Sequence, residues 1–388
     1  MDEITPIPDP EEPINTRFKT LRELIDFVTG VVPGEHPQLE ENSSITDRLP
    51  YPFLGIVGQK EMKLSLLLGL INPAIGGILL IGPRGTGKTT AVRSLLDLLP
   101  SVERSTCFYG CLNEDIETIG MDAVCPECAR KFGMGEALTS MDKVRLVELP
   151  LNAGIDDVVG GREEEPGLDR YKIKKGILNQ ADKNILYIDE VNLLSQQIID
   201  VILDASAQGF YNIRRGFHSA SHNSRFVLIG SMNPEEGFLR PQILDRFGLR
   251  VLVKGLTNPQ ERLLAYQQVQ AYNRNPRLFI NQMLPQTNQV RSEIEKAQKM
   301  LKETNISADV AKKGISIIRS LQIDSLRAEI TWFEAARALA ASDDRTEVTM
   351  DDLNLVASMA LRMRRSKFMD DYFSHQDLEE KELKNSLA

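Results

Sequence analysis

The chain has 388 residues, 42% of them hydrophobic, and carries 46 Lys and Arg against 55 Asp and Glu, a net charge of −9. That is more length than one core usually organises, and the acidic balance argues against a nucleic acid backbone as the main partner. No apolar run reaches the roughly 20 residues that cross a bilayer, and the opening MDEITPIPDPEEP resembles neither a secretory nor an organelle leader; a soluble, cytoplasmic protein is expected.

Residues 1–50 read as an acidic, Pro-rich extension with one short amphipathic helix, in which Leu21, Leu24, Ile25 and Val28 share a face suited to packing on the main domain or to docking another chain. Over residues 51–255, β-type apolar runs (GGILLIG, RLVEL, NILYID, SRFVLIGSM, LRVLV) alternate with helix-like stretches. This is the pattern of a parallel sheet with crossover helices. Over 256–370 helical periodicity takes over and predicts a second, all-helical domain. Thr349, three residues before Asp352, makes a capping-box start for its last helix. Residues 371–388 read as a polar tail. The expected fold class is α/β: a parallel sheet covered by helices on both faces, plus a C-terminal helical domain.

Residues 77–90, GILLIGPRGTGKTT, contain G-x-x-x-x-G-K-[ST] at Gly82, Gly87, Lys88 and Thr89, between a predicted strand and a predicted helix. Side chains at Gly85 or Gly87 would obstruct backbone N–H groups wrapping a phosphate, and the helix beginning near Thr90 turns its positive end to the same anion. Lys88 is expected to reach the β- and γ-phosphates of ATP and Thr89 to ligate Mg²⁺. The strand NILYIDE ends in Asp189, expected on the metal side, and Glu190, expected to polarise the attacking water. A later strand ends at Asn233, placed to position that water. In LRPQILDRFG, Arg246 suits charge developing on a transferred phosphoryl group; on residues alone, an ion pair with Asp245 or another surface acid fits equally well.

The blocks GQKEMKLSLLLGLINPAIGGILLIGPRGTGKTT, YIDEVNLL, NPEEGFLRPQILDRFG and SLRAEITWFEAARALAA resemble the ATPase I subunits of magnesium chelatase, AAA+ proteins of the helix-2-insert group, from about residue 51 to 365. The resemblance implies an AAA+ P-loop domain with a helical lid over 256–370. It implies a homo-oligomeric ring, a hexamer, with Arg246 acting on the neighbour's ATP and Arg327 as the sensor-2 arginine. It also implies partners: a D-type subunit with a von Willebrand A domain and a porphyrin-binding H-type subunit, together inserting Mg²⁺ into protoporphyrin IX in (bacterio)chlorophyll synthesis. The rival is a MoxR-type AAA+ chaperone that matures a protein or metal cofactor with a von Willebrand A partner. A DNA-acting AAA+ protein is disfavoured by the charge.

All four cysteines fall within an insertion at 105–130, spaced C-x3-C-x13-C-x2-C at Cys107, Cys111, Cys125 and Cys128. The spacing suits a four-thiolate structural Zn²⁺ site; unliganded thiols, a redox pair and an iron–sulfur cluster are the alternatives. The histidines His36, His218, His222 and His375 show no ligand spacing and read as solvated loop residues. Residues around 210–223 read as a hairpin whose Arg214 and Arg215 would line a ring pore. Arg362, Arg364, Arg365 and Lys367 are expected to answer a helix dipole and acidic neighbours.

Overall fold

The computed structural model describes Leu21 and residues 49–164, 171–215 and 218–365; the side chains of 162–174 and 214–220 lie outside that description. The tail, His36, His375, Lys367 and the side chains of Arg214, Arg215 and His218 are therefore outside it as well. In chain order, α1 (Lys60–Ile71) leads into β1 (Ile78–Ile81), the glycine-rich turn and α2 (Lys88–Ser94). A small module follows: β2 (Ser101–Ser105), α3 (Asn113–Ile119), α4 (Pro126–Gly133) and β3 (Thr139–Lys143). Next come β4 (Leu146–Leu149), α5 (Ile155–Val159), the β5 (Gly160–Glu164) and β6 (Tyr171–Lys175) hairpin, α6 (Ile177–Ala181) and β7 (Ile185–Ile188). Then α7 (Gln196–Gln208), the β8 (Phe210–Arg215) and β9 (His218–Asn223) hairpin, β10 (Val227–Met232), α8 (Pro241–Arg246) and β11 (Leu249–Leu252) complete this half.

The central sheet is parallel throughout, in the order β11-β1-β10-β7-β4. Its inner strands read as unbroken apolar runs because both faces are covered. Ile78, Leu80, Ile185, Tyr187 and Ile229 turn to one core, and Leu79, Ile81, Leu186, Ile188 and Leu228 turn to the other.

The helical half comprises α9 (Pro259–Arg274), α10 (Pro276–Met300), α11 (Ala308–Ser320), α12 (Leu326–Ser342) and α13 (Met350–Leu361). Its core is continuous with one face of the sheet: Trp332, Ala335, Ala336 and Leu339 of α12 belong to the same buried cluster as Ile78, Leu80 and the α1 leucines. The run of alanines on α12 admits this close packing, and Trp332 Nε1 donates to the Leu353 carbonyl at 2.7 Å. The capping box forms as expected: Asp352 accepts the Thr349 N–H at 2.8 Å and also pairs with Arg345 at 2.6 Å. Leu21, the one described residue before position 49, is 2% exposed and belongs to this cluster. Arg362 pairs with Glu61 at 2.5 Å and Arg364 with Asp245 at 2.8 Å, so these arginines answer acidic neighbours.

Candidate functional site

Strand register brings the sequence-distant motifs together. Ile81 pairs with Met232, which sets Gly82 beside Asn233; Gly230 pairs with Ile188, which sets Ser231 beside Asp189. Gly82 is required by close approach, since a Cβ there would lie 2.1 Å from the Val253 carbonyl oxygen. Gly85 and Gly87 have φ of +76° and +86°, a region that L side chains rarely adopt, and nothing lies within 4 Å of where their Cβ atoms would stand. The turn therefore presents open space and backbone amides at the head of α2, in a cleft of about 240 Å³ lined by Arg84 to Thr90, Asp189, Glu190, Ser231 and Asn233.

Lys88 is nearly buried, and its ammonium donates to the carbonyls of Gly82 at 2.7 Å and Pro83 at 2.8 Å. Burial lowers its pKa, while Asp189, Glu190 and Glu236 pull it back up. Thr89 Oγ1 donates to Asp189 Oδ2 at 3.3 Å, so hydroxyl and carboxylate stand together as a pair of hard oxygen ligands suited to Mg²⁺. The other Asp189 oxygen accepts from Tyr187 at 2.9 Å and from Ser231. These contacts hold the carboxylate in one orientation. Glu190 adopts φ 55°, its N–H donates to Ser231 Oγ at 3.0 Å, and its carboxylate pairs with Arg84 at 3.3 Å. Arg84 also pairs with Glu236. Asn233 is 3% exposed and caps the turn after β10 by accepting the Glu235 N–H at 3.3 Å.

Gly85, Gly87, Lys88, Thr89, Thr90, Asp189, Glu190 and Asn233 thus line one cleft, while Gly82 lies behind the turn as a close-approach residue. Tyr187, Ser231, Arg84 and Glu236 were not foreseen. Tyr187 carried a signal, lying two residues before Asp189 on the same face of a strand; Ser231 meets Asp189 only through register. The two arginines lie elsewhere and do not line this cleft. Arg246 pairs not with Asp245 but with Asp204 at 3.0 Å and Asp200 at 3.3 Å of α7. Asp245 instead accepts from Ser325 at 3.0 Å and Arg364 at 2.8 Å, and stands 4.0 Å from Arg327. Asp245 therefore joins the end of α8 to the start of α12, which puts Arg246 and Arg327 in one neighbourhood.

The four cysteines also converge. Their sulfurs all lie within 4.8 Å of one another, and none is in a disulfide. Four thiolates around one zinc at about 2.3 Å stand about 3.8 Å apart, so the set fits that ion. The N–H of Cys111 donates to Cys107 Sγ and that of Cys125 to Cys111 Sγ, each at 3.4 Å, the contacts that stabilise thiolates in a knuckle. Burial pushes the Cys111 thiol up to about 12; Cys107, where burial is opposed by the Ser105 hydroxyl and the Cys111 and Tyr109 N–H groups, falls to about 7. Apart from the cysteines, the buried apolar side chains of this module are Leu112 and Leu138, with Ile116 and Val124 partly buried. Burying each leucine yields only about 2–3 kcal/mol, against about 1–2 kcal/mol of backbone entropy for each ordered residue. A metal supplying on the order of 10 kcal/mol changes that balance.

His222 departs from expectation. It is 2% exposed, not solvated, and sits among the rings of Phe108, Tyr109 and Tyr211 at 5.0, 5.4 and 5.5 Å. Burial holds its imidazole below the ordinary value. Tyr211 faces it across the hairpin, whereas Phe108 and Tyr109 come from the cysteine insertion, which no local pattern around His222 reveals. Another cleft, about 490 Å³, lies along edge strand β4 beside Cys107 and lacks a phosphate-binding turn.

Fold and cleft define a P-loop ATPase of the AAA class: an AAA domain model matches residues 75–236 and an AAA lid domain model residues 312–382. A putative ATPase of known structure from Cytophaga hutchinsonii shares the fold, at 19% identity and a TM-score of 0.53, over 80% of this chain and 84% of that one. The magnesium-chelatase subunit ChlI homolog of Methanocaldococcus jannaschii is 43% identical over 85% of this chain and 90% of its own length. The magnesium-chelatase subunit ChlI of a Nostoc species is 40% identical over 82% and 85%. The chain belongs to the ChlI family of magnesium-chelatase AAA+ ATPase subunits, and the MoxR-type alternative is not favoured. No helix of the described residues is long and apolar enough to cross a membrane.

Proposed function

We propose that this chain is the cytoplasmic ATP-driven motor of a magnesium-chelatase-type complex that inserts Mg²⁺ into protoporphyrin IX. The observation that carries the reading is the convergence of Lys88, Thr89, Asp189, Glu190 and Asn233 at the C-terminal ends of three adjacent strands in a ChlI-family chain. Mg·ATP bound there supplies the scissile phosphoanhydride. Backbone N–H groups from Gly85 to Thr89 hold phosphate oxygens, Lys88 neutralises the β- and γ-phosphates, and Thr89 and Asp189 hold the metal. Glu190 takes the proton of the attacking water, and Asn233 orients it. Arg246 acts on the ATP of the adjacent protomer in a ring, a hexamer, and Arg327 is the sensor-2 arginine; that Arg246 does not line its own cleft and pairs with α7 instead supports its action in trans. The partners are a D-type subunit with a von Willebrand A domain and a porphyrin-binding H-type subunit, as befits relatives named as subunits. The porphyrin chemistry belongs to those chains. Following Mg-porphyrin fluorescence with purified D and H subunits tests the reading: ATP-dependent product supports it, and its absence with cognate partners discards it.

Two expectations belong to this reading. Arg246→Ala is expected to bind ATP normally yet lower turnover by roughly 10³-fold or more, and to poison wild-type rings in mixtures; activity that falls only in proportion to the variant's share would remove its action in trans. The four cysteines hold a structural zinc, so protein purified without chelators should carry about one equivalent by elemental analysis. Less than half an equivalent, or iron with acid-labile sulfide, would overturn the zinc assignment.

A further inference from the structure

The spacer residues of the first cysteine pair do more than close a metal loop. Phe108, Tyr109 and Gly110, the three residues between Cys107 and Cys111, each contact the segment where hairpin strand β9 passes into sheet strand β10. The Tyr109 carbonyl accepts the Asn223 N–H at 3.1 Å. The Gly110 carbonyl accepts Asn223 Nδ2 at 3.0 Å and Arg225 Nη2 at 2.8 Å. The Phe108 and Tyr109 rings flank buried His222. Asp115, just past Cys111, adds a 2.8 Å pair to Arg225.

Arg225 is in turn tied to the sheet. Its N–H donates to Asp182 at 2.8 Å, and its carbonyl accepts the Lys183 N–H two residues before β7. The cysteine knuckle therefore meets the entry ends of β7 and β10, the strands whose exit ends carry Asp189, Glu190, Ser231 and Asn233. The knuckle's own backbone shape depends on the sulfurs at both its ends being held, because the module around it buries so little else.

We propose that the four-cysteine site is the anchor of the β8–β9 hairpin: with zinc bound, residues 108–110 form a fixed plate that holds His222, Asn223 and Arg225 and so sets the base of the hairpin on the sheet. The proposal rests on the zinc reading given above. Zinc closed by four thiolates has no open position, which suits a mechanical role. Without the metal, the plate loses its shape and the hairpin base opens locally, while the sheet, with its own two cores, stays folded.

Amide hydrogen exchange on the full-length protein tests this, comparing zinc-loaded, zinc-stripped and reloaded samples, with Co²⁺ reloading to read thiolate charge-transfer absorbance. The expected result is exchange at Asn223 at least about tenfold faster after stripping, reversed by zinc, with β1 and β10 protection unchanged. A second variant, Asn223→Ala, leaves all four thiolates in place; it should keep its zinc and cobalt spectrum while the neighbouring His222 and Ser224 amides exchange faster. Failure to bind zinc or cobalt would defeat the zinc reading and the anchor together. Zinc bound, but exchange at 222–225 indifferent to its removal, would defeat the anchor and leave the zinc reading standing. Collapse of protection throughout β1 and β10 on stripping would also overturn it, because the coupling would then be global unfolding.

Discussion

Lys88→Ala is expected to reduce ATP turnover by at least about 10²–10³-fold, the loss typical when one preorganised charge-stabilising donor is removed. The side chain is nearly buried, and its ammonium spans the carbonyls of Gly82 and Pro83 at the mouth of the cleft, so alanine deletes both the charge facing the phosphates and a brace across the turn. Nucleotide binding should weaken in parallel. A ligand present at about 100 times its dissociation constant stabilises a fold by about 2.7 kcal/mol, so the thermal shift that Mg·ATP gives the wild type should largely vanish in the variant. Unliganded stability should change little, since alanine is a good helix former at the first position of α2 and both cores are untouched. Turnover within tenfold of wild type, with the thermal shift intact, would mean that the turn is not a triphosphate site.

Glu190→Gln should separate binding from chemistry. The amide has nearly the same shape, and its oxygen still accepts from Arg84, but it cannot take a proton from water. Turnover is expected to fall by about 10²–10⁴-fold, the range for a positioned general base, with ATP affinity within about threefold because the phosphate and metal contacts come from other residues. Steady-state ATPase and direct nucleotide titration check the two halves. If affinity falls as far as the rate, Glu190 holds the nucleotide, and the base must be sought elsewhere in the cleft. The two adjacent acids already keep different company: Asp189 accepts from Thr89, Tyr187 and Ser231, whereas Glu190 pairs with Arg84.

Much of the site is legible in the sequence. The glycine spacing, the lysine and threonine after it, and the acidic pair ending an apolar run are local patterns, and each needs only a strand to its N-terminal side to place it. The capping box at Thr349 was equally local. The four cysteines were legible as a cluster because thiolate ligands come in short-range pairs; that the pairs meet within 4.8 Å depended on α3, α4 and the β2–β3 pairing that closes the module.

The chain's own pattern therefore carried what neighbouring residues share: the glycine-rich turn with its lysine and threonine, the acidic pair ending an apolar strand, the buried strands and the α/β class. Contacts between distant segments belonged to the tertiary structure alone. The Gly230 to Ile188 register brings Ser231 to Asp189, Asp245 reaches Arg364 and Ser325 instead of its neighbour Arg246, and His222 is enclosed by rings from a cysteine loop over 100 residues earlier. The physical reason is the same in each case. Hydrophobic periodicity tells which face of an element is buried, but which side chain it then meets is decided by register and packing between elements that leave no trace in local spacing.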